Sequence, residues 1–300
     1  ECIPCFFQQA LEAAHVAGVS KKKQKEIIDA LAENVPSFSL TSSPPEMGVT
    51  IHETVKRISG KPDPYLSLKK RCNKTALKVY PQLVRKVRRS QDKLKKAIEL
   101  AIAGNIIDYG AKRSLDINHE INAILAREER NIRREHRVIF NYAAFVRELK
   151  KARTVLYLGD NAGEIVFDRV LIEEIKRQYP GKEIIFAVRE KPIINDALLE
   201  DAYLSGIDQS AEIVTTGCGA PGTLLQQCSK AFRKKYKRAD MVISKGQGNF
   251  EALSDARRSI FFLFMAKCPV IVHDISSRIA RCKLRDIILY HHTPRAVRNR

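Results

Sequence analysis

Asp160 and Asn161 stand side by side in the run Thr154-Val-Leu-Tyr-Leu-Gly159-Asp160-Asn161-Ala-Gly163-Glu164, just past five residues with the composition of a buried strand. A carboxylate beside an amide presents hard oxygen donors of the kind that suit a divalent cation such as Mg²⁺ or Mn²⁺. The same residue types cap helices, and a helix is expected to start near Glu164, so alone they fit either role. Further along, Lys245-Gly246-Gln247-Gly248-Asn249 has the composition of an anion cradle. Its glycines let backbone N–H groups approach a phosphate, and the lysine adds a point charge. Glycines in such a turn also serve simply to relieve crowding. Near the start, Cys2-x-x-Cys5 has the spacing of a thiolate metal site or a redox pair. A Zn²⁺ ion there needs two more ligands, and Cys72 with His52 is the pairing that the first half suggests.

The elements that must carry these residues change character near residue 151. Before it, apolar positions recur at three- and four-residue spacing over Phe6–Val19, Lys22–Asn34, Val49–Ile58, Pro64–Tyr80 and Gln82–Ala103, with further helices expected at Ile117–Ala126 and Ile132–Ala152. Pro81 is placed in the first turn of the fifth helix, where a missing N–H costs least. After it, short apolar strands are predicted at Thr154–Leu158, Glu183–Val188, Glu212–Thr215, Asp240–Ser244 and Val270–His273. Helical stretches at Ile165–Tyr179, Ile194–Ser205 and Thr223–Lys235 separate the first four, and Phe250–Phe262 reads as another helix running into a strand-like Phe261–Met265. Such alternation predicts an α/β fold, a Rossmann-like α/β/α arrangement with a doubly wound, mostly parallel sheet, preceded by an all-helical domain. The division is then 1–150 helical, 151–292 α/β and 293–300 a tail, and His291-His292 near the end also look like an exposed tail. In a parallel sheet the strand tips share one edge, so Asp160, Arg189, Asn195, Asp196 and Lys245 converge on one cleft.

Composition narrows the classes. The 300 residues carry a net charge of +19, and over residues 51–100 Lys and Arg outnumber acids 15 to 4. That field attracts anions, whether phosphorylated metabolites, nucleic acid or anionic lipid. Aromatics are not interleaved with the charges, which argues against a single-strand nucleic-acid binder. No apolar run approaches the length of a membrane span. Glu1-Cys2 opens without a basic-then-apolar leader, so a cytoplasmic location is the expectation. Seven scattered cysteines do not make a disulfide framework. No Gly-x-Gly-x-x-Gly follows the first strand and no Walker motif occurs, which removes dinucleotide and P-loop chemistry. Ala162 stands where phosphatases that form an aspartyl-phosphate commonly place a second carboxylate.

Taken together, Gly159-Asp160-Asn161-Ala-Gly-Glu164, Pro192-Ile-Ile-Asn195-Asp196 with Glu200-Asp201-Ala202, and Lys245-Gly-Gln-Gly-Asn249-Phe-Glu251 resemble the metal-dependent damage-control phosphatases, a family long catalogued as a domain of unknown function. Gly104-Asn105-Ile-Ile-Asp108 resembles the Gly-Asn-x-x-Asp motif of that family. Cys2-Ile-Pro-Cys5 and Asp63-Pro-Tyr65 are similar to its branch with an N-terminal CxxC. The resemblance implies a divalent cation, Mn²⁺, Mg²⁺, Co²⁺ or Ni²⁺, held between the helical and α/β parts by Asp160, Asn161 and Asp196. Asn195 and Asp201 are close enough in sequence to compete for the last place. It further implies that Asn105, Asp108 and Lys245 with the Gly246–Asn249 turn face a small, sugar-like or damaged phosphorylated metabolite; Arg189, at the tip of the second strand, is counted with them.

The chemistry agrees with that implication. Phosphoryl transfer asks for charge neutralisation and in-line positioning more than for covalent machinery. A cation on Asp160, Asn161 and Asp196 polarises the phosphoryl group and lowers the pKa of a bound water. Asp108 and Glu164 are the two candidates to orient that water, and direct attack by a carboxylate stays open. Two other classes compete. The first-strand turn also looks like a methyltransferase loop for S-adenosylmethionine, although Asp160-Asn161 breaks the expected Gly-x-Gly. The basic 51–100 region offers a nucleic-acid surface without a recognition motif. Oligomeric state is not legible in the residues.

Overall fold

The computed structural model describes residues 1–39, 42–104 and 139–294. Six strands form one sheet: β1 (Thr154–Leu158), β2 (Glu183–Val188), β3 (Glu212–Thr215), β4 (Met241–Lys245), β5 (Ile260–Met265) and β6 (Ile287–His292). Their order is β3-β2-β1-β4-β5-β6. The first five pair in parallel, and β6 closes the edge antiparallel to β5. The chain leaves β1 toward β2 on one side and reaches β4 on the other, so the switch point, where ligands bind in such sheets, lies between the tips of β1 and β4.

Alternation along each strand divides the core between two faces. Val155 and Tyr157 of β1 with Met241 and Ile243 of β4 join one hydrophobic cluster, whereas Leu156, Leu158 and Val242 join the other. The first face carries the N-terminal helices α1 (Ile3–Val16), α2 (Lys21–Asn34), α3 (Pro44–Ser59), α4 (Leu66–Arg89) and α5 (Lys93–Ala103), then α6 (Tyr142–Lys151) and α7 (Glu164–Gln178). Its cluster runs from Phe6 to Leu289, so residues of both halves pack in one core. The second face carries α9 (Lys230–Arg238), α10 (Gln247–Leu253) and α11 (Pro269–Arg278), and the short α8 (Leu199–Leu204) precedes β3. Every position of α5 from Ala97 to Ala103 is buried, as befits a helix wedged between α4, α7 and the sheet.

Several boundaries differ from the expectation for identifiable reasons. Pro81 does not start a helix: α4 runs through it and ends at Arg89, and the break falls at Asp92, whose side chain accepts the Lys95 N–H at 3.0 Å as the cap of α5. Val270–His273 is not a strand. Cys268 is extended and Pro269 occupies the first turn of α11, which pre-sets the helical φ, and Ile271 and Ile275 bury one face. The stretch Phe250–Phe262 is split into α10, a charged turn and β5. Ile194–Ser205 is helical only from Leu199, because residues 193–198 form a turn in which Asn161 and Asp196 make a backbone bridge. Thr223–Lys235 is helical only from Lys230, where the Ser229 hydroxyl caps the Phe232 N–H. His291 and His292 are not a tail but lie in β6: the His291 ring stacks on Phe261 with centroids 4.2 Å apart, and its Nε2 is 2.8 Å from the Ser259 hydroxyl. The helix expected at Ile117–Ala126 lies outside the described residues.

Candidate active site

At the tip of β1 the turn begins with Gly159, where a Cβ would stand 2.7 Å from the Phe186 ring, and then presents Asp160 and Asn161 at the switch point. The turn after β2 is laced to it by backbone: Ala197 N–H donates to Asp160 O at 2.8 Å, and Ala162 N–H to Asn195 O at 2.9 Å. Asp196 is thereby set beside Asp160 and Asn161. Ile194, within this second turn, has φ +44°, a strained conformation for a β-branched residue of the sort that collects at functional sites. Behind the three side chains lies the buried guanidinium of Arg189. Its Nε donates to Asp196 Oδ2 at 2.7 Å, while Nη1 reaches the Thr223 hydroxyl at 3.1 Å and Nη2 reaches Asn249 Oδ1 at 3.2 Å. Arg189 therefore braces Asp196 from behind rather than facing the cleft, where its place at a strand tip puts it in the sequence reading.

Asn161 is oriented by acids. Its Nδ2 donates to Asp160 Oδ2 at 2.9 Å and to Glu164 Oε2 at 3.1 Å, which leaves Oδ1 as the atom turned away from the carboxylates. Burial pushes the Asp160 carboxyl well above the ordinary carboxylate range, and the neighbouring Glu164 and Asp196 add to the shift; Lys267 and Arg189 oppose it. Such crowding of oxygen donors and negative charge is what a divalent cation relieves, so the donor set fits Mg²⁺- or Mn²⁺-type ions. Among the described residues no three His, Cys, Asp or Glu side chains group as a metal site; the set here is two carboxylates and an amide.

Lys245 is placed differently from the expected phosphate ligand. It continues the parity of Met241 and Ile243, so its side chain enters the face packed by α5 and α7 rather than the cleft. Fully buried, its Nζ donates to Asp168 Oδ1 at 2.6 Å, Glu164 Oε1 at 2.7 Å and Ala101 O at 2.7 Å. All three protons are used. The Ala101 carbonyl is one of those left open by the last turn of α5, which a cation suits well. Burial opposes the ammonium charge, but Asp168 and Glu164 outweigh it and hold the lysine protonated. Glu164, expected as a water-orienting group, is engaged by Lys245 through one oxygen and by Asn161 through the other. The glycine turn is also recast. Gly246 has φ +82°, and a Cβ there would lie 2.0 Å from Asp160 Oδ2, so this residue makes room for the carboxylate. Asn249 is buried and tied to Thr223 N–H and Lys245 O.

Gln247 and Gly248 do line the cleft, a space of about 260 Å³ bounded also by Phe6, Glu12, Pro45, His52, Tyr65, Asp160, Asn161, Asn195, Asp196, Glu251 and Lys267. Both the helical and the α/β residues thus wall it. Among the described residues Lys267 is the lysine or arginine lining this cleft, and it stands two positions past the end of β5. The strand-end reasoning misses it because the fifth strand is expected at Val270–His273 and only the first four strand ends are weighed, although Phe261–Met265 reads as strand-like. Glu251 is the second omission: burial pushes its carboxyl up to about 7, against the pull of Gln247 and Lys267. Gln247 joins the two, donating to Glu251 Oε1 at 2.8 Å and accepting the Lys267 N–H at 3.1 Å. Asn105 and Asp108 lie outside the described residues. Cys2 and Cys5 open α1, Cys5 exposed, and Cys72 is buried on α4, but with His52 they do not assemble a zinc set.

A doubly wound sheet with an acid–amide cluster at its switch point, and a lysine lining the same cleft, is the frame of an α/β enzyme. A family model described as the damage-control phosphatase ARMT1-like domain matches residues 1–282. A damage-control phosphatase of Archaeoglobus fulgidus is 36% identical over 256 residues, covering 85% of each chain. Damage-control phosphatase PH1575 of Pyrococcus horikoshii is 31% identical over 278 residues, covering 92% of this chain and 93% of that one. A crystal structure of that DUF89 family protein superposes with a TM-score of 0.85 at 28% identity over 97% of each chain. The chain belongs to the ARMT1-like damage-control phosphatase family, and its reaction class is that of a phosphatase. No helix among the described residues is long and apolar enough to cross a membrane.

Proposed function

We propose that the protein is a metal-dependent phosphomonoesterase for small phosphorylated metabolites, working in the cytoplasm. The observation that carries this reading is the convergence of Asp160, Asn161 and Asp196 opposite Lys267 in one cleft. Asp160, Asn161 and Asp196 would hold the divalent ion, which supplies charge neutralisation and a water of lowered pKa when bound. Arg189 and Glu164 keep two of those side chains aimed. Lys267 takes a non-bridging phosphoryl oxygen, offering the preorganised positive charge that the transition state needs. Glu251, protonated near neutrality, gives its proton to the departing alkoxide oxygen. The apolar and aromatic wall of Phe6, Pro45 and Tyr65 accepts the rest of the metabolite.

Asp160→Ala should lower Mn²⁺-stimulated release of phosphate from p-nitrophenyl phosphate and sugar phosphates by about 10³-fold, the scale of losing a principal electrostatic stabiliser. Circular dichroism should show the fold retained. Full activity in that variant after exhaustive chelation sinks the proposal.

A further inference from the structure

We infer that Asn73, on α4 of the helical half, is a positioning residue that sets the two metal-bearing turns against each other; this rests on the metal reading just given. Its side chain is fully buried and belongs to neither turn. Oδ1 accepts the Gly163 N–H at 2.6 Å, two residues past Asn161. Nδ2 donates to Asp201 Oδ1 at 2.6 Å, and the other oxygen of Asp201 accepts the Leu198 N–H at 2.9 Å, two residues past Asp196. One amide thus ties the turn holding Asp160 and Asn161 to the segment holding Asp196. No other side-chain type of this size does both jobs. A carboxylate would set a second acceptor against Asp201, and an apolar isostere would remove the Asn73 partner of the Gly163 N–H and of Asp201 Oδ1.

The fit of α4 to this turn is close. Gly163 has φ +81°, and a Cβ on it would stand 2.9 Å from the Cys72 Cβ and 3.0 Å from the Cys72 backbone. Helix and turn therefore meet backbone to side chain, and a shift of either is passed to the other. Residues that orient metal ligands without touching the ion commonly change affinity by about 10- to 100-fold when removed. A group serving stability alone would change the melting temperature and leave affinity where it was.

The experiment is calorimetric titration of the full chain with Mn²⁺ alone, comparing Asn73→Ala, Asn73→Asp and, as a control for lost packing on the same helix, Val79→Ala. Both Asn73 variants should weaken Mn²⁺ binding about 10- to 100-fold, with kcat at saturating Mn²⁺ within about threefold of the unaltered chain. Val79→Ala should lower the melting temperature and keep the affinity. Asn73 variants that melt earlier yet bind Mn²⁺ as well as the unaltered chain overturn the inference. Should both fail to fold, Asp201→Asn reads the same link, and unchanged affinity there overturns it equally. No binding by the unaltered chain overturns the metal reading itself, which is a distinguishable failure.

Discussion

Two groups of carboxylates meet at Glu164, and they differ in how their charge is closed. Beneath the cleft, Glu164 and Asp168 surround the Lys245 ammonium, with the Tyr157 hydroxyl donating to Asp168 Oδ1 at 2.8 Å. This group is shut inside the fold with every lysine proton used, although one cation for two anions leaves it net negative and Asp168 Oδ2 has no hydrogen-bond partner among the described residues. Burial raises the Asp168 carboxyl to about 6 while Lys245 pulls it down. At the cleft, Arg189 stands behind Asp160 and Asp196, with Nη2 to Asp160 Oδ1 at 4.0 Å, and Lys267 also favours the charged form of Asp160. This group lines the cleft, so its carboxylates face space that a ligand can enter. The closed cluster is a fastener between α5, α7 and β4; the open one is a socket. A strand-tip lysine is therefore not by itself a ligand-binding group. What decides is which side of the sheet its parity selects.

The sharpest way to break this contrast is to exchange the two lysines for neutral residues. Lys245→Met leaves Glu164 and Asp168 buried without their counter-charge and should lower the unfolding free energy by about 3–5 kcal/mol, measured by urea denaturation. Lys267→Ala should hardly move the urea midpoint but should cost roughly 1.5–3 kcal/mol in kcat/KM. Reversed outcomes would mean that fastener and socket are wrongly assigned. Glu251→Gln sharpens the picture on the substrate side. Hydrolysis of an alkyl phosphate should drop about 10²-fold, whereas p-nitrophenyl phosphate, whose leaving group departs without a proton, should be nearly unaffected. The variant should also lose the decline in alkyl-phosphate activity above pH about 7. Equal losses on both substrates would assign Glu251 to structure.

The smallest effect is one of stability. Asp160 and Glu251 both have carboxyl pKa values raised by folding, the latter to about 7. The folded state binds those protons more tightly than the unfolded chain. Their contribution is therefore fully present below the ordinary carboxylate range and is lost as pH rises, that of Glu251 through about 7. Without divalent ions the melting temperature should fall by a few degrees, at about 2–4 °C per kcal/mol or less for a chain of this size, between pH 5 and pH 8. Mn²⁺ should restore more at pH 8 than at pH 5, since it binds the deprotonated acids. A melting temperature indifferent to both pH and Mn²⁺ would remove the distinction between the two clusters.

Much of this arrangement is legible in the residues. Strands β1, β2 and β3 have the bounds that their apolar runs predict; β1 is covered on both faces and so is mainly apolar, whereas β3, at the sheet edge, is only half-buried. Asp160, Asn161 and Asp196 follow from where those strands end. Lys245 was legible too, since it shares parity with Met241 and Ile243, but the glycines beside it drew attention to its neighbours instead. Lys267 is hidden by the fifth strand being expected at Val270–His273, which Pro269 turns into a helix, rather than at Ile260–Met265. The role of Asn73 had no local signal: an amide in mid-helix acquires its partners from Gly163 and Asp201, some 90 and 128 positions away. Long-range pairing of this kind is set by tertiary packing, to which periodicity is blind.

The antiparallel pairing of β6 with β5 bears on how the molecule is divided. The family match stops at residue 282, five residues before Ile287 opens β6. A fragment cut at that point would leave Ile260–Met265, an almost wholly apolar segment, as the outermost member of the sheet with its amides and carbonyls bare. Bare margins of this composition recruit other chains. The last ladder is thus a seal against self-association, placed by a stretch of chain that the family pattern does not include.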